Sequence, residues 1–213
     1  MLNEIKKSII SGILISIGGC VYISCKNDGM GWLGAILFSV GLYTICEYGF
    51  NLYTGKVGYI GNKLTDWKYI GFVLQILVFN LLTTFAIGAL LSTQFTPLAA
   101  TAQTMYAGKL ASFEANWFKS FLSAIFCGML MYIAVDCNKR GSKIGIFLAV
   151  PTFILSGFDH SIANSFYNGL ALGSDTFTVT NALFVIVVVL GNALGGMLLP
   201  LLTRSWKKET QAQ

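Results

Sequence analysis

Six long apolar stretches, bounded by short polar runs, organise this chain of 213 residues. They fall near 8–25, 31–48, 69–92, 115–136, 144–172 and 177–202. All but the fifth are close to the roughly 20 residues that a bilayer core demands of a helix. The fifth is longer, and carries Pro151 and the cluster Ser156-Gly157-Phe158-Asp159-His160-Ser161, which predict a break inside it. A second break is predicted at the end of the second stretch. There Gly49-Phe50-Asn51-Leu52-Tyr53-Thr54-Gly55, followed by Lys56 and Gly58, mixes helix breakers with polar groups. Between the third and fourth stretches, Ser92–Glu114 is polar and nearly uncharged, and reads as the longest loop. After the last span, 203–213 reads as a short tail, disordered from Lys207. The expected fold is an all-α membrane protein of six transmembrane helices, forming one domain over 1–213.

The two breaks share a pattern: Gly-Phe, then a short polar side chain. Non-helical backbone inside a bilayer is tolerated only where protein buries it or where it lines a cavity. Polar groups at that depth commonly mark a pathway. Each half then reads as a span, an interrupted span, and a span holding a buried asparagine, Asn80 in the third and Asn192 in the sixth. Three spans per half force the halves, about 8–92 and 115–202, into opposite orientations. An inverted repeat with its site near the midplane is the expectation. Amides freed at half-helix N-termini carry partial positive charge and favour an anion.

Composition agrees with a membrane setting. The chain is 55% hydrophobic and 11% charged, against about 25% charged in soluble domains. The net charge of +5 does not point to nucleic acid. With six spans, Lys6, Lys7, Lys56, Lys63, Lys68, Lys139, Arg140, Lys143, Arg204, Lys207 and Lys208 share one side, and only Lys26, Lys109 and Lys119 fall opposite. That bias predicts cytoplasmic termini. The first apolar stretch exceeds a signal h-region and lacks a small-residue cleavage site, so it reads as a retained span. The five cysteines lie in or beside spans without metal-ligand spacing. No metal or cofactor is expected.

His160 is the only histidine, and an imidazole can exchange a proton near physiological pH. Asp159 is expected chiefly to cap the second half-helix, with cross-linking of the break as its other role. Thr54 sits in the first break, where its hydroxyl either reaches across the centre to the imidazole or serves only the turn. Lys109, before the fourth span, is a candidate for drawing an anion to the outer mouth; Lys119, deeper in the span, competes for that role. Asn51, Asn80, Asp159 and Asn192 complete the polar groups expected along the pathway.

These motifs resemble the formate/nitrite transporter family. Gly49–Gly55 is similar to that family's loop motif, and Gly157-Phe158-Asp159-His160-Ser161-Ile162-Ala163-Asn164 to its histidine motif, with Asp where Glu is common. Ala124–Leu130 with Ile133-Ala134-Val135 resembles its fourth-span signature, and Gly191-Asn192-Ala193-Leu194-Gly195-Gly196 its sixth. Gly128 and Tyr53 stand where the family usually has Asn and Phe, and Lys109 lies about three residues farther from the fourth-span motif than usual. The resemblance implies an aquaporin-like protomer assembled as a homopentamer in the bacterial inner membrane. It implies passage of small weak-acid anions such as formate, nitrite or hydrosulfide. It implies that Thr54 and His160 meet between apolar constrictions, for which Phe38, Leu42, Leu52 and Phe153 are candidates, with Tyr53 beside the threonine.

An anion at the membrane centre pays at least ~2.5–3.5 kcal/mol, and an opposing potential adds ~2.3 kcal/mol per 100 mV. Both costs vanish if the anion first takes up a proton, donated by His160 or relayed by it from water. The expected partners are therefore a small anion, protons and the lipid bilayer. An aquaporin-type pore for neutral solutes is the rival reading, but Asn-Pro-Ala is absent. One histidine and no Gly-x-Ser-x-Gly give an intramembrane enzyme little to work with.

Overall fold

The computed structural model of the protein describes residues 1–173 and 175–203. The expected tail therefore lies, beyond Thr203, outside the described residues. Among the described residues all regular structure is helical: α1 (Leu2–Asn27), α2 (Gly31–Glu47), a single turn α3 (Tyr53–Lys56) continued by a 3-10 segment (Val57–Asn62), α4 (Trp67–Ser92), α5 (Thr96–Ala115), α6 (Trp117–Lys139), α7 (Ile144–Leu155), α8 (Ser161–Leu170) and α9 (Val179–Leu202).

Four helices, α1, α4, α6 and α9, are each long and apolar enough to cross a membrane, while α2 and α7 are shorter. The polarity of the molecule suits lipid. Large apolar side chains such as Leu82, Leu90, Ile186 and Leu190 stand more than half exposed on the outside, while Ser8, Asn80, Thr84, Ser161 and Asn192 are buried. A soluble fold distributes these groups the other way.

Both predicted breaks are present, and the Gly-Phe pair explains them. Gly49 and Gly157 have φ of +67° and +70°, a region that costs glycine nothing and L side chains much. At each, the glycine N–H turns back to the carbonyl three residues earlier, and the following Phe N–H to the carbonyl five earlier (Phe50 to Ile45 and Phe158 to Phe153, both 2.9 Å). This is the Schellman stop signal of a helix C-terminus. Pro151, expected to help break the fifth span, does not: α7 runs through it to Leu155.

The polar stretch read as a loop is a helix, α5. Its buried residues Ala99, Ala102, Tyr106, Leu110 and Phe113 recur at three- and four-residue intervals, an apolar stripe. Threonines and glutamine on the other faces hid that stripe, and Pro97 occupies the first turn, where proline is tolerated.

Packing brings the breaks to the centre. α1 lies along α2 and α4, and α6 along α7 and α9, whereas each segment after a break crosses to the other half, the 3-10 segment onto α9 and α8 onto α4. The α6–α9 crossing is nearly backbone on backbone. A Cβ on Gly195 would stand 1.9 Å from the Ile125 carbonyl oxygen, and one on Gly128 2.3 Å from that of Asn192. Gly128 is thus the residue that lets α9 approach. Replacing it by alanine is expected to cost about 1–3 kcal/mol, seen as a lower melting temperature of the purified protein in detergent. An unchanged melting temperature would mean the crossing relaxes freely.

Candidate functional site: a dry partition between two cavities

The site grows from the two breaks, and the same scaffold holds both. Tyr53 N–H donates to Asn80 Oδ1 and Ser161 N–H to Asn192 Oδ1, each at 2.8 Å. Asn80 Nδ2 donates to the carbonyls of Ser8 and Asn51 at 2.8 and 3.1 Å, and Asn192 Nδ2 to those of Ala124 and Asp159, both at 2.8 Å. At each break one buried amide thus answers an N–H and a carbonyl of the broken backbone. In this register Asn51 matches Asp159, and Leu52 matches His160. Leu52 and His160 precede α3 and α8 with the same extended backbone, φ/ψ −108°/130° and −99°/113°.

His160, 1% exposed, caps α8 itself: its Nδ1 accepts from Ala163 N–H at 3.1 Å. That bond requires an unprotonated Nδ1, which places the proton of the neutral ring on Nε2. Nε2–H therefore donates to Thr54 Oγ1, 2.9 Å away, and leaves the Thr54 hydroxyl hydrogen free to point elsewhere. The imidazole stacks on Phe153 (centroids 5.5 Å apart), which meets Phe38 edge-on at 6.4 Å.

Phe38, Phe153 and His160 form part of the lining of a chamber of about 680 Å³, together with Tyr22, Lys26, Thr101, Thr104, Lys109, Asn164 and Tyr167. Leu42 and Leu52 line a second cavity of about 160 Å³, with Cys46, Lys56, Asn138 and Lys139. Phe38 and Leu42 lie one turn apart on α2 and face different cavities. Thr54, 1% exposed, is among the lining of neither. Rings lie on one side of the Thr54–His160 bond and leucines on the other: a dry partition with one polar contact in it.

Some expected residues sit elsewhere. Tyr53 lines neither cavity; it is pinned to α9 through its hydroxyl, which donates to the Val189 carbonyl at 3.2 Å. Asn80 and Asn192, both fully buried, are absent from these linings and spend their amides on the backbone. Asn51 likewise faces away, its Nδ2 donating to Glu4 Oε2 at 2.8 Å. Asp159 does not cap α8, since His160 holds that place. It cross-links the break instead, accepting from Lys109 Nζ (2.5 Å), Asn164 Nδ2 (3.0 Å) and Ser123 Oγ (2.9 Å) while its own N–H donates to Ser123 Oγ. Lys109 borders the large chamber and Lys119 does not; Lys119 faces a neighbouring cavity of about 420 Å³ that Lys109 and Asp159 share. Lys26, unremarked in the sequence beyond its side of the membrane, also lines the chamber. Glu4, which nothing in the sequence singles out, has its partner Asn51 47 positions away.

The sequence profile of the family described as "Formate/nitrite transporter" matches residues 2–206. A protein of Methanothermobacter thermautotrophicus named "Probable formate transporter" is 28% identical over 89% of this chain and 82% of its own length. The "Formate channel FocA" of Haemophilus influenzae is 24% identical over 75% of this chain; the match spans 64% of that relative, under two thirds of it. Among solved structures, a "Pentameric formate channel with formate bound" superposes with a TM-score of 0.74 at 21% identity, covering 100% of this chain and 98% of the other. The likeness of fold and the match along almost the whole chain agree: this protein belongs to the formate/nitrite transporter family of membrane transporters.

Proposed function

We propose that this protein is a channel for small monovalent anions of weak acids, formate first among them, and that the anion crosses the partition with a proton. The observation that carries this reading is the Thr54–His160 hydrogen bond, set alone between aromatic and aliphatic walls. A bare carboxylate there would lose its hydration for one hydrogen bond, whereas a neutral acid loses far less. The tautomer set by Ala163 makes His160 a donor to Thr54 rather than a store of protons. Water in the large chamber then supplies the proton, and the Thr54 hydroxyl turns its free hydrogen to the passing solute.

On this reading α2 with α3, and α7 with α8, complete two broken crossings, giving six spans. The two halves form an inverted repeat whose matched asparagines frame the centre. Lys109, steadied by Asp159, draws anions into the chamber. The basic residues near both chain ends support a cytoplasmic position for the termini in a bacterial inner membrane. The names of the relatives support formate, and the pentameric neighbour supports a homopentamer.

A flux panel in proteoliposomes tests this. Formate uptake is expected to saturate and to rise as the outside pH falls, with nitrite and hydrosulfide also carried. Nitrate, similar in size but the anion of a strong acid, is expected to be excluded. Nitrate flux equal to that of formate would contradict passage as the acid, and flux of water or glycerol alone would favour a neutral-solute pore.

A further inference from the structure

The second cavity has a lining that the partition does not explain. Lys56, at the end of α3, and Lys139, at the end of α6, both border it, with Cys46 and Asn138. The carboxylates nearby are already engaged: Glu4 with Lys7 and Asn51, Asp136 with Arg140, Glu47 with Lys143. Among the described residues neither Lys56 nor Lys139 has a carboxylate within 4 Å. Lys139 rests 3.4 Å above the centroid of the Tyr59 ring, a contact that attracts the cation without cancelling its charge. The side-chain oxygen of Asn138 is buried with no hydrogen-bond partner, and native structures rarely leave such an atom unanswered. Two cations without an ion-pair partner and one orphan acceptor thus border a space of about 160 Å³.

We propose that this cavity is a binding site for a small carboxylate or similar oxyanion, held by Lys56 and Lys139, with Asn138 accepting the O–H of its protonated form. The identity of the anion rests on the channel reading above; the site itself rests on these three residues. An acid that has passed Leu42 and Leu52 enters the cavity that Asn138 lines. Its proton then passes to water in the cavity, and the two ammoniums favour the conjugate base left behind. In the large chamber the Lys109 charge is answered by Asp159, and Lys26 is the lining lysine without an ion-pair partner among the described residues.

Cys46 lines the same space and gives a readout independent of transport. With Cys20, Cys25, Cys127 and Cys137 replaced by alanine, the full chain is treated with methanethiosulfonates bearing a sulfonate or a trimethylammonium group. The anionic reagent is expected to modify Cys46 roughly tenfold faster than the cationic one, and formate to slow it. K56Q/K139Q is expected to lose both the preference and the protection, and K56R/K139R to keep both, which separates lost charge from misfolding. N138L is expected to keep the preference and weaken the protection at low pH. Equal rates for the two reagents, a thiol that neither reaches, or protection that persists in K56Q/K139Q would overturn the site. A failure of pH-dependent flux would defeat the channel reading and leave this binding result in force.

Discussion

Replacing Asn192 by leucine is expected to abolish transport and to lower stability sharply. The side chain is fully buried and answers three backbone groups: the Ser161 N–H and the carbonyls of Ala124 and Asp159. Leucine is of similar size but leaves the Ser161 N–H and the Asp159 carbonyl without this partner, while the Ala124 carbonyl keeps its place in the α6 ladder. At about 1–3 kcal/mol for each of these two orphaned groups, the loss is roughly 2–6 kcal/mol, a large part of an ordinary stability margin. The functional loss follows because Asp159 and Ser161 flank His160, so the imidazole moves away from Thr54 when the brace goes. N192D, which keeps the acceptor and removes the donors, is expected to fall between. Thermal unfolding in detergent and formate flux in proteoliposomes measure both effects; wild-type values of each in N192L would show that the amide is not the brace.

The broad plan of the fold was legible because it rests on local patterns. The apolar stretches predicted α1, α2, α4, α6 and α9 to within a few residues at most ends. The repeated Gly-Phe marked both breaks, although the reason, a helix stop needing positive φ at Gly49 and Gly157, emerges only from the backbone. α5 was missed because polarity was weighed ahead of spacing: its stripe from Ala99 to Phe113 has helical period in a segment rich in threonine and alanine.

At the site, Thr54 and His160 were readable as a pair from their places in matched motifs. Their hydrogen bond, like the Lys109–Asp159 pair, joins residues distant in sequence. The asparagines were read as pathway groups because a buried polar residue in a span signals either a pathway or a frame, and only the partner atoms distinguish the two. Lys26, Lys56 and Lys139 carried no signal beyond charge. What sets Lys56 and Lys139 apart is that both border one small cavity with no carboxylate within 4 Å among the described residues, a property of the packing rather than of the chain.

The second large effect is expected at His160. Asparagine is a good cap, so H160N can keep α8 anchored through Ala163 while losing the Nε2–H that fixes Thr54 and the ring stacked on Phe153. The partition then presents no oriented donor to the solute. A buried polar group left without its partner costs up to about 3 kcal/mol, which slows passage up to roughly a hundredfold. The most direct measurement is formate uptake into proteoliposomes as a function of outside pH, for wild type and H160N, each corrected for empty vesicles. Uptake by the wild type is predicted to climb as the pH falls, and that of H160N to be roughly a hundredfold lower throughout. Uptake by H160N that matches the wild type in size and in pH dependence would contradict passage of the acid at the Thr54–His160 pair.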